Sequence, residues 1–312
     1  MAVAKVTDEE FIRVWKELQS PQKVSDHLGL GIRHVYQKRN DLVKKYGVDL
    51  SSNEHESRKI NTYLNDNRRV AIHEVQNGTI FIASDCHYWP GEETVAHKAF
   101  VKLIKAMKPT TIVLNGDVFD GAQVSRHPPL MSLTTPTPKQ EIEACQDRLS
   151  EIADASKNAR KFWTFGNHDT RLFSRLAANS PELTDMVSLF DYFPGWHTCW
   201  RIDVNDSLVI KHRWHNGIHS TWNNALKSGR SIVTGHLHQL KVTPFSDYNG
   251  RRWGVDSGTL AEPYGDQFVY TEMNPVNWCS GFAVITFKDG KLLPPELCEV
   301  IDGVAYFRGK EV

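Results

Sequence analysis

The chain has 312 residues, enough for one large domain or a large one with a small companion. Its 37 Lys and Arg balance 37 Asp and Glu, and this zero net charge argues against a uniformly basic nucleic-acid coat protein and an acidic disordered tail. Hydrophobic residues at 40% and charged residues at 24% describe an ordinary globular chain; the departure is histidine, at 14, with ten between His87 and His238 and none after it.

The N-terminus lacks the apolar core of a signal peptide, and no run approaches the roughly 18 apolar residues of a membrane span, so no membrane partner is expected. Five cysteines (Cys86, Cys145, Cys199, Cys279, Cys298) form no C-x-x-C pair and are odd in number. That pattern disfavours a disulfide framework or a zinc ribbon and suits a reducing cytoplasm.

Residues 7–46 read as three helices. Thr7 caps the first, with Glu10 three residues on, and Phe11, Ile12, Trp15 and Leu18 form its apolar face. Ser20-Pro21 starts the second, which carries Val24 and Leu28. Gly29 makes a sharp turn into a third helix with Ile32, Val35, Arg39 and Leu42, closed by Gly47. Two short helices joined by a glycine turn predict a helix-turn-helix domain over residues 1–50. Between Lys23 and Lys45 lie six basic residues (Lys23, Arg33, Lys38, Arg39, Lys44, Lys45) against Asp26 and Asp41, a net of +4. On the presumed recognition helix, Arg33, His34, Gln37, Lys38 and Arg39 are the candidate DNA contacts. The competing expectation is a module that packs on the rest of the chain or makes a homo-oligomer.

Residues 51–69 are polar and read as a linker. Val70 to Val75, then Gln76-Asn77-Gly78, then Thr79 to Ala83 predicts a hairpin with an Asn-Gly turn. Strands and helices then alternate, the pattern of an α/β domain over residues 70–312. Helices are expected over Glu92–Lys108 and Gln140–Arg160, and Ser125–Pro138 is a Pro- and Thr-rich loop of the kind that rims active sites.

The strands of this region end in metal-ligand chemistry. Phe81-Ile82-Ala83 leads to Asp85 and His87, and Ile112-Val113-Leu114 leads to Asp117 and Asp120. Trp163-Thr164-Phe165 leads to Asn167, His168 and Asp169. Leu208-Val209-Ile210 leads to His212, and Ser231-Ile232-Val233 leads to His236 and His238. Strand carboxyl ends in such folds converge on one crevice. Carboxylate, amide and imidazole donors suit two divalent first-row ions better than a structural zinc. On an extended strand end, residues i and i+2 point the same way, so D-x-H and H-x-H pairs can each reach one ion.

In this order, D-x-H, G-D-x-x-D, G-N-H-D, a lone His and G-H-x-H resemble the calcineurin-like metallophosphoesterase superfamily over roughly residues 79–260. Val255 to Leu260 is similar to the family's strand-and-glycine motif, and Gly217, Ser220 and Asn223 resemble its phage-type branch, related to DNA repair nucleases. The resemblance implies a four-layer sandwich of two mixed β-sheets flanked by helices, preceded here by the small all-α domain. It implies that Asp85, His87, Asp117 and His238 hold one ion, with Asp117 bridging, and that Asn167, His212 and His236 complete the second. Manganese is the expected ion, with iron, zinc, nickel or magnesium as alternatives. His212 is preferred over His215 because it directly follows the apolar strand. By the same resemblance His168 is the acid or phosphate stabiliser, Asp169 orients it, and Asp120 supports a ligand histidine. Cys86 is expected to be a bystander. The implied activity is phosphoester hydrolysis by metal-activated hydroxide. A DNA nuclease is the favoured form, and a small-molecule or phosphoprotein phosphoesterase with an assembly domain is the alternative.

Overall fold

The computed structural model describes residues 6–48, 50, 62–65, 68–127, 135–184 and 186–312. Two units divide the chain, residues 1–60 and 61–312. Residues 51–61 and 66–67 of the expected linker, and 128–134 of the Pro- and Thr-rich loop, lie outside the described residues.

The N-terminal unit contains α1 (Asp8–Leu18), α2 (Pro21–Leu28) and α3 (Ile32–Tyr46). Each boundary has a local cause. The Thr7 hydroxyl accepts from the Glu10 amide, and Ser20 caps α2 with Pro21 in the first turn. Gly29 and Gly47, both at φ 62°, end α2 and α3 in the left-handed conformation that glycine adopts freely. Phe11, Val14, Trp15, Val24, Val35, Leu42 and Leu50 form the unit's own buried core.

In the second unit the elements follow as β1 (Thr62–Asn65), β2 (Arg68–His73), β3 (Gly78–Ala83), α4 (Val95–Met107), β4 (Thr111–Leu114), α5 (Pro138–Ala155) and β5 (Arg160–Thr164). Then come α6 (Arg171–Asn179), β6 (His197–Cys199), β7 (Arg201–Val204), β8 (Leu208–Ile210), α7 (Ser220–Ser228) and β9 (Ser231–Thr234). The chain finishes with β10 (Lys241–Asp247), β11 (Gly250–Asp256), β12 (Gly281–Lys288), β13 (Lys291–Leu292), β14 (Glu296–Ile301), β15 (Val304–Phe307) and β16 (Lys310–Glu311). Among the described residues these strands make two mixed sheets flanked by helices. One runs β1-β2-β7-β8-β9-β11-β10, and the other β16-β15-β14-β12-β3-β4-β5-β6 with β13 on β12. None of the described helices is long and apolar enough to cross a membrane.

Two expectations change. Residues 70–75 and 79–83 do not form a hairpin, because they belong to different sheets: β2 pairs with β1 and β7, and β3 with β12 and β4. The reason is that β3 is a central strand with Ile80 to Ala83 wholly buried, and β12 and β4 occupy both its edges. The Asn-Gly turn is also taken up, since Asn77 Oδ1 accepts from the Asp289 amide and the Gln76 carbonyl from Gly290. Second, part of the expected linker is strand. Residues 62–65 and 68–71 pair antiparallel, Thr62 opposite Ala71, so the α/β unit starts before Val70. Polar composition hid an edge strand that has one neighbour to satisfy it.

The parallel register positions the chemistry. Strands β3, β4 and β5 run side by side, with Ala83 opposite Leu114 and Leu114 opposite Trp163, so their carboxyl ends are level. In the other sheet β8, β9 and β11 do the same, with Ile210 opposite Val233 and Thr234 opposite Asp256. Asn115 joins the two sets: its Nδ2 donates to the Lys211 carbonyl at 3.1 Å and its Oδ1 accepts from Thr164 at 2.7 Å.

Replacing Phe11, wholly buried in the N-terminal unit, by Ala is expected to cost about 3–5 kcal/mol, comparable to all that so small a core supplies. Chemical denaturation followed by limited proteolysis checks this. The first 50 residues or so should become cleavable while the unfolding transition of the larger unit is unchanged, since the two cores share no residue.

Candidate metal centre

Asp85 and His87 follow β3, Asp117 and Asp120 follow β4, and Asn167, His168 and Asp169 follow β5. His212 follows β8, and His236 and His238 follow β9. The backbone at these positions is not extended. Asp85, His87, Asp117, His236 and His238 have φ of 51°, 40°, 52°, 73° and 56°. Both members of D-x-H and of H-x-H therefore sit in the left-handed region, and the i, i+2 strand geometry expected for them does not hold. The chain turns sharply on leaving each strand, and such residues cost about 1–3 kcal/mol each unless their surroundings hold them. Here the loops hold one another: the Asp85 amide donates to Gly116, His87 to Asp117, and His236 to the Asp85 carboxylate at 2.8 Å.

Close approach explains the motif glycines. A Cβ on Gly116, itself at φ 85°, would run into the His212 ring, and one on Gly166 would strike Asp117. At Gly235 it would meet Ser84 and Asp85.

The side chains gather in three groups, two of which share His87: Asp85, His87 and His238; His87, Asp120 and His168; and Asp117, His212 and His236. His238 Nε2 lies 3.0 Å from Asp85 Oδ1, and His212 Nε2 lies 3.1 Å from Asp117 Oδ2. His236 stacks edge-on against His212 with ring centres 5.3 Å apart. His215 is elsewhere, stacked on Trp214 with its amide bonded to Asn224.

The donors fit divalent cations. His212 Nδ1 donates to the Asn115 carbonyl at 2.7 Å and His87 Nδ1 to Asp120 at 2.8 Å, which turns both Nε2 atoms toward the centre. His87 Nε2 and the Asn167 side-chain oxygen are buried without a hydrogen bond among the described residues, the state expected of atoms that coordinate a metal. Burial disfavours charge on His212, but the Asp117 and Asp85 carboxylates outweigh it and hold the imidazolium up to about 10. Burial and that neighbouring charge push His236 down to about 4, so its imidazole is neutral and free to coordinate. The Cys86 thiol is pushed well up by burial and stays protonated, no thiolate ligand.

One role differs from the sequence expectation, that of Asp120 is kept and extended, and two residues were missed. Asp169 does not orient His168. Its carboxylate, wholly buried, accepts from the amides of Asp117, Val118, Phe119 and Gly166 and from the Trp163 indole, at 2.8–3.1 Å. It is a positioning residue for the Asp117 loop. Asp120 instead orients both His87 and His168, with His168 Nδ1 3.0 Å from its Oδ1. Arg171, which the motif reading missed, places Nη2 3.0 Å from His168 Nε2. A guanidinium cannot accept, so in this arrangement Nε2 carries the lone pair and Nδ1 the proton. The i, i+3 spacing from His168 into α6 was the available signal. Glu141 was also missed: buried, it accepts from the Gly121 and Ala122 amides and fixes the loop after Asp120. On the other flank Phe268 and Trp278 wall off His87 and His238.

In the N-terminal unit, Arg33, His34 and Gln37 are exposed on α3. Lys38 and Arg39 are engaged within the unit: Lys38 pairs with Asp8 at 2.9 Å, and the Arg39 guanidinium lies 5.2 Å over the Trp15 ring.

A family model described as calcineurin-like phosphoesterase matches residues 78–254. No curated protein matches the chain. Among solved structures, Vps29 from Entamoeba histolytica complexed with zinc is 12% identical, with 75% of this chain and 98% of that one covered at a TM-score of 0.40. A novel archaeal phosphodiesterase is 15% identical, covering 71% and 99% at 0.38. A dimetal phosphatase from Danio rerio is 10% identical, covering 76% and 98% at 0.34.

Two outcomes follow from this geometry. Asp169→Asn turns an amide donor toward backbone donors and should lower unfolding free energy by about 2–4 kcal/mol, with weaker metal binding because Asp117 loses its support. Urea denaturation and a chelator-competition titration read the two effects. Second, the proton held on His212 must leave when an ion takes Nε2. Apparent metal affinity should therefore rise with pH, up to about tenfold per unit for each proton released. Calorimetry in buffers of different ionisation heat, between about pH 6 and 8, counts that proton.

Proposed function

The chain belongs to the calcineurin-like phosphoesterase family, a family of dimetal-dependent phosphoester hydrolases, and from that premise we propose that it is a nuclease hydrolysing phosphodiester bonds of DNA. The observation that carries the DNA assignment is the exposure of Arg33, His34 and Gln37 at the start of α3, after the three-residue turn Gly29–Gly31. A basic helix presented in this way suits a helix-turn-helix lying in a major groove.

When bound, a pair of divalent ions supplies Lewis-acid polarisation of the phosphoryl group and an acidified water at neutral pH. Asp85, His87, Asp117 and His238 would hold one and Asn167, His212 and His236 the other, with Asp117 shared. Manganese is the ion we expect from the family resemblance, and the imidazole, carboxylate and amide donors accept iron, zinc, nickel or magnesium as well. Arg171 forms the donor side of the site, with His168 beside it. A phosphoryl oxygen that takes the Arg171 fork releases His168 Nε2, which Asp120 keeps aimed at the centre. In the hydrolysis a water oxygen bonds to phosphorus, the ester P–O bond breaks, and a proton passes to the departing oxygen. Burial opposes charge on His168, but the Asp117 and Asp120 carboxylates outweigh it and raise its affinity for a proton. Once freed from Arg171, Nε2 can take up a proton and deliver it to the departing oxygen.

A second reading has one observation in its favour. Lys38 and Arg39 are tied into the N-terminal unit, which leaves fewer free cations on α3 than the sequence promised. On that reading the unit mediates assembly, and the substrate is a small nucleotide or a phosphoprotein.

The full-length chain with Mn²⁺ is expected to nick or degrade DNA, and Asp117→Ala or His236→Ala to abolish this. Deleting residues 1–50 should weaken DNA binding and flatten its salt dependence, by about one unit of log–log slope for each phosphate that is no longer neutralised, while leaving hydrolysis of bis-p-nitrophenyl phosphate intact. Gel assays on duplex and single-stranded DNA beside cyclic and dinucleotide substrates decide the matter. Indifference to DNA with turnover of a small nucleotide replaces the nuclease with the second reading.

A further inference from the structure

A cavity of about 410 Å³ opens beside the candidate metal centre, and two of the candidate ligands, Asn167 and His212, line it. The same wall carries Trp200, Arg201, Lys211 and Arg213. Two of these cations come with the ligand itself, because Lys211 and Arg213 flank His212 where the chain leaves β8. Arg201 is already committed, its Nε 2.8 Å from Asp203. No carboxylate pairs with Lys211 or Arg213 among the described residues. An anion in the cavity would therefore meet two cations that no acidic side chain among the described residues already holds.

Cations alone would fit any phosphate. The cavity adds an indole: Trp200 is 43% exposed and braced edge-on by Phe165, with ring centres 4.8 Å apart. A second indole, Trp214, is 42% exposed with Lys211 Nζ 5.7 Å over its ring. Large aromatics held half-open beside uncompensated cations are the pattern by which single-stranded nucleic acid is gripped, phosphates on the charges and bases on the rings. A phosphoserine or a plain sugar phosphate has no flat face to use them.

We propose that this cavity is a nucleotide subsite, seating one unpaired nucleotide of the substrate strand beside the scissile phosphate, its base on Trp200 and its neighbouring phosphate on Lys211 and Arg213. The inference rests on the nuclease reading and narrows it, since a base free to stack is a base out of its pair. Stacking accepts every base, so the subsite selects for nucleotides without selecting among sequences.

The test is binding, read apart from turnover. Thymidine 5′-monophosphate and deoxyribose 5-phosphate are titrated calorimetrically into the full-length chain in chelator. The nucleotide should bind roughly five- to a hundredfold more tightly than the base-free sugar phosphate. Trp200→Ala should erase that margin and Trp200→Phe keep most of it, while Lys211→Gln weakens both ligands alike. Equal affinity for the two ligands in the unaltered chain, or a margin that survives Trp200→Ala, overturns the proposal. A margin that stands in a chain that cleaves no DNA would sink the nuclease reading and leave the subsite. DNA cleavage without the margin would do the reverse.

Discussion

The Asp169 carboxylate is the interaction on which the metal centre depends. It is wholly buried, and a lone buried charge is tolerated only when donors surround it. Five do, four of them backbone amides, and those four belong to two different strand ends: Asp117, Val118 and Phe119 after β4, and Gly166 after β5. One side chain thus ties together the loops that carry Asp117 and Asn167. The Asp117 amide that Asp169 takes is that of a residue at φ 52°, so the hydrogen bond also holds a backbone that would otherwise relax. Removing the charge would loosen position rather than chemistry, and that separates Asp169 from the residues around it that face the ions.

The left-handed ligands extend the same logic. Five of the seven candidate ligands occupy backbone that L-residues avoid, and the neighbouring glycines vacate the space into which the side chains turn. The strain has a geometric return. A sharp turn at a strand end throws the side chain back over the sheet edge, so ligands from two sheets meet above a gap that neither could span alone. Close-packed loops also restrict adjustment, and a Cβ at Gly166 or Gly235 has nowhere to go.

Much of this was legible in the sequence, for physical reasons that differ by element. The helices of the first unit announce themselves locally, through Thr7, Ser20-Pro21 and the glycines at 29 and 47, because caps and left-handed stops are properties of a few neighbouring residues. The gathering of these side chains was legible because Asp, Asn and His at successive strand ends have no core or surface reason to recur. What failed was non-local. The partner of β3 is β12, some two hundred residues away, and nothing within the Asn-Gly turn reveals that both edges of the strand are already filled. Likewise the identity of Asp169 was visible, but its duty was not, since adjacency to His168 suggested a pairing that the four amides and the indole pre-empt. The candidate DNA contacts Lys38 and Arg39 show the same limit. Their charge could be read, whereas their partners Asp8 and Trp15 lie a helix away.

Electrostatics explains how two buried carboxylates stand close together at this centre. Asp85 and Asp117 are both buried, and two uncompensated carboxylates would cost several kcal/mol each. His212 resolves this, since its position between them stabilises the imidazolium against burial, while His236 beside it is forced neutral. That imidazolium offsets part of the charge of both carboxylates. The zero net charge of the sequence hides this arrangement, because Asp85, Asp117, Asp120 and Asp169 gather at the centre, while Lys211 and Arg213 stand at its rim without acidic partners among the described residues. Charge of opposite sign on neighbouring walls of one crevice is what a polyanionic ester needs: cations outside to draw it in, and anions inside to hold the metals that act on it.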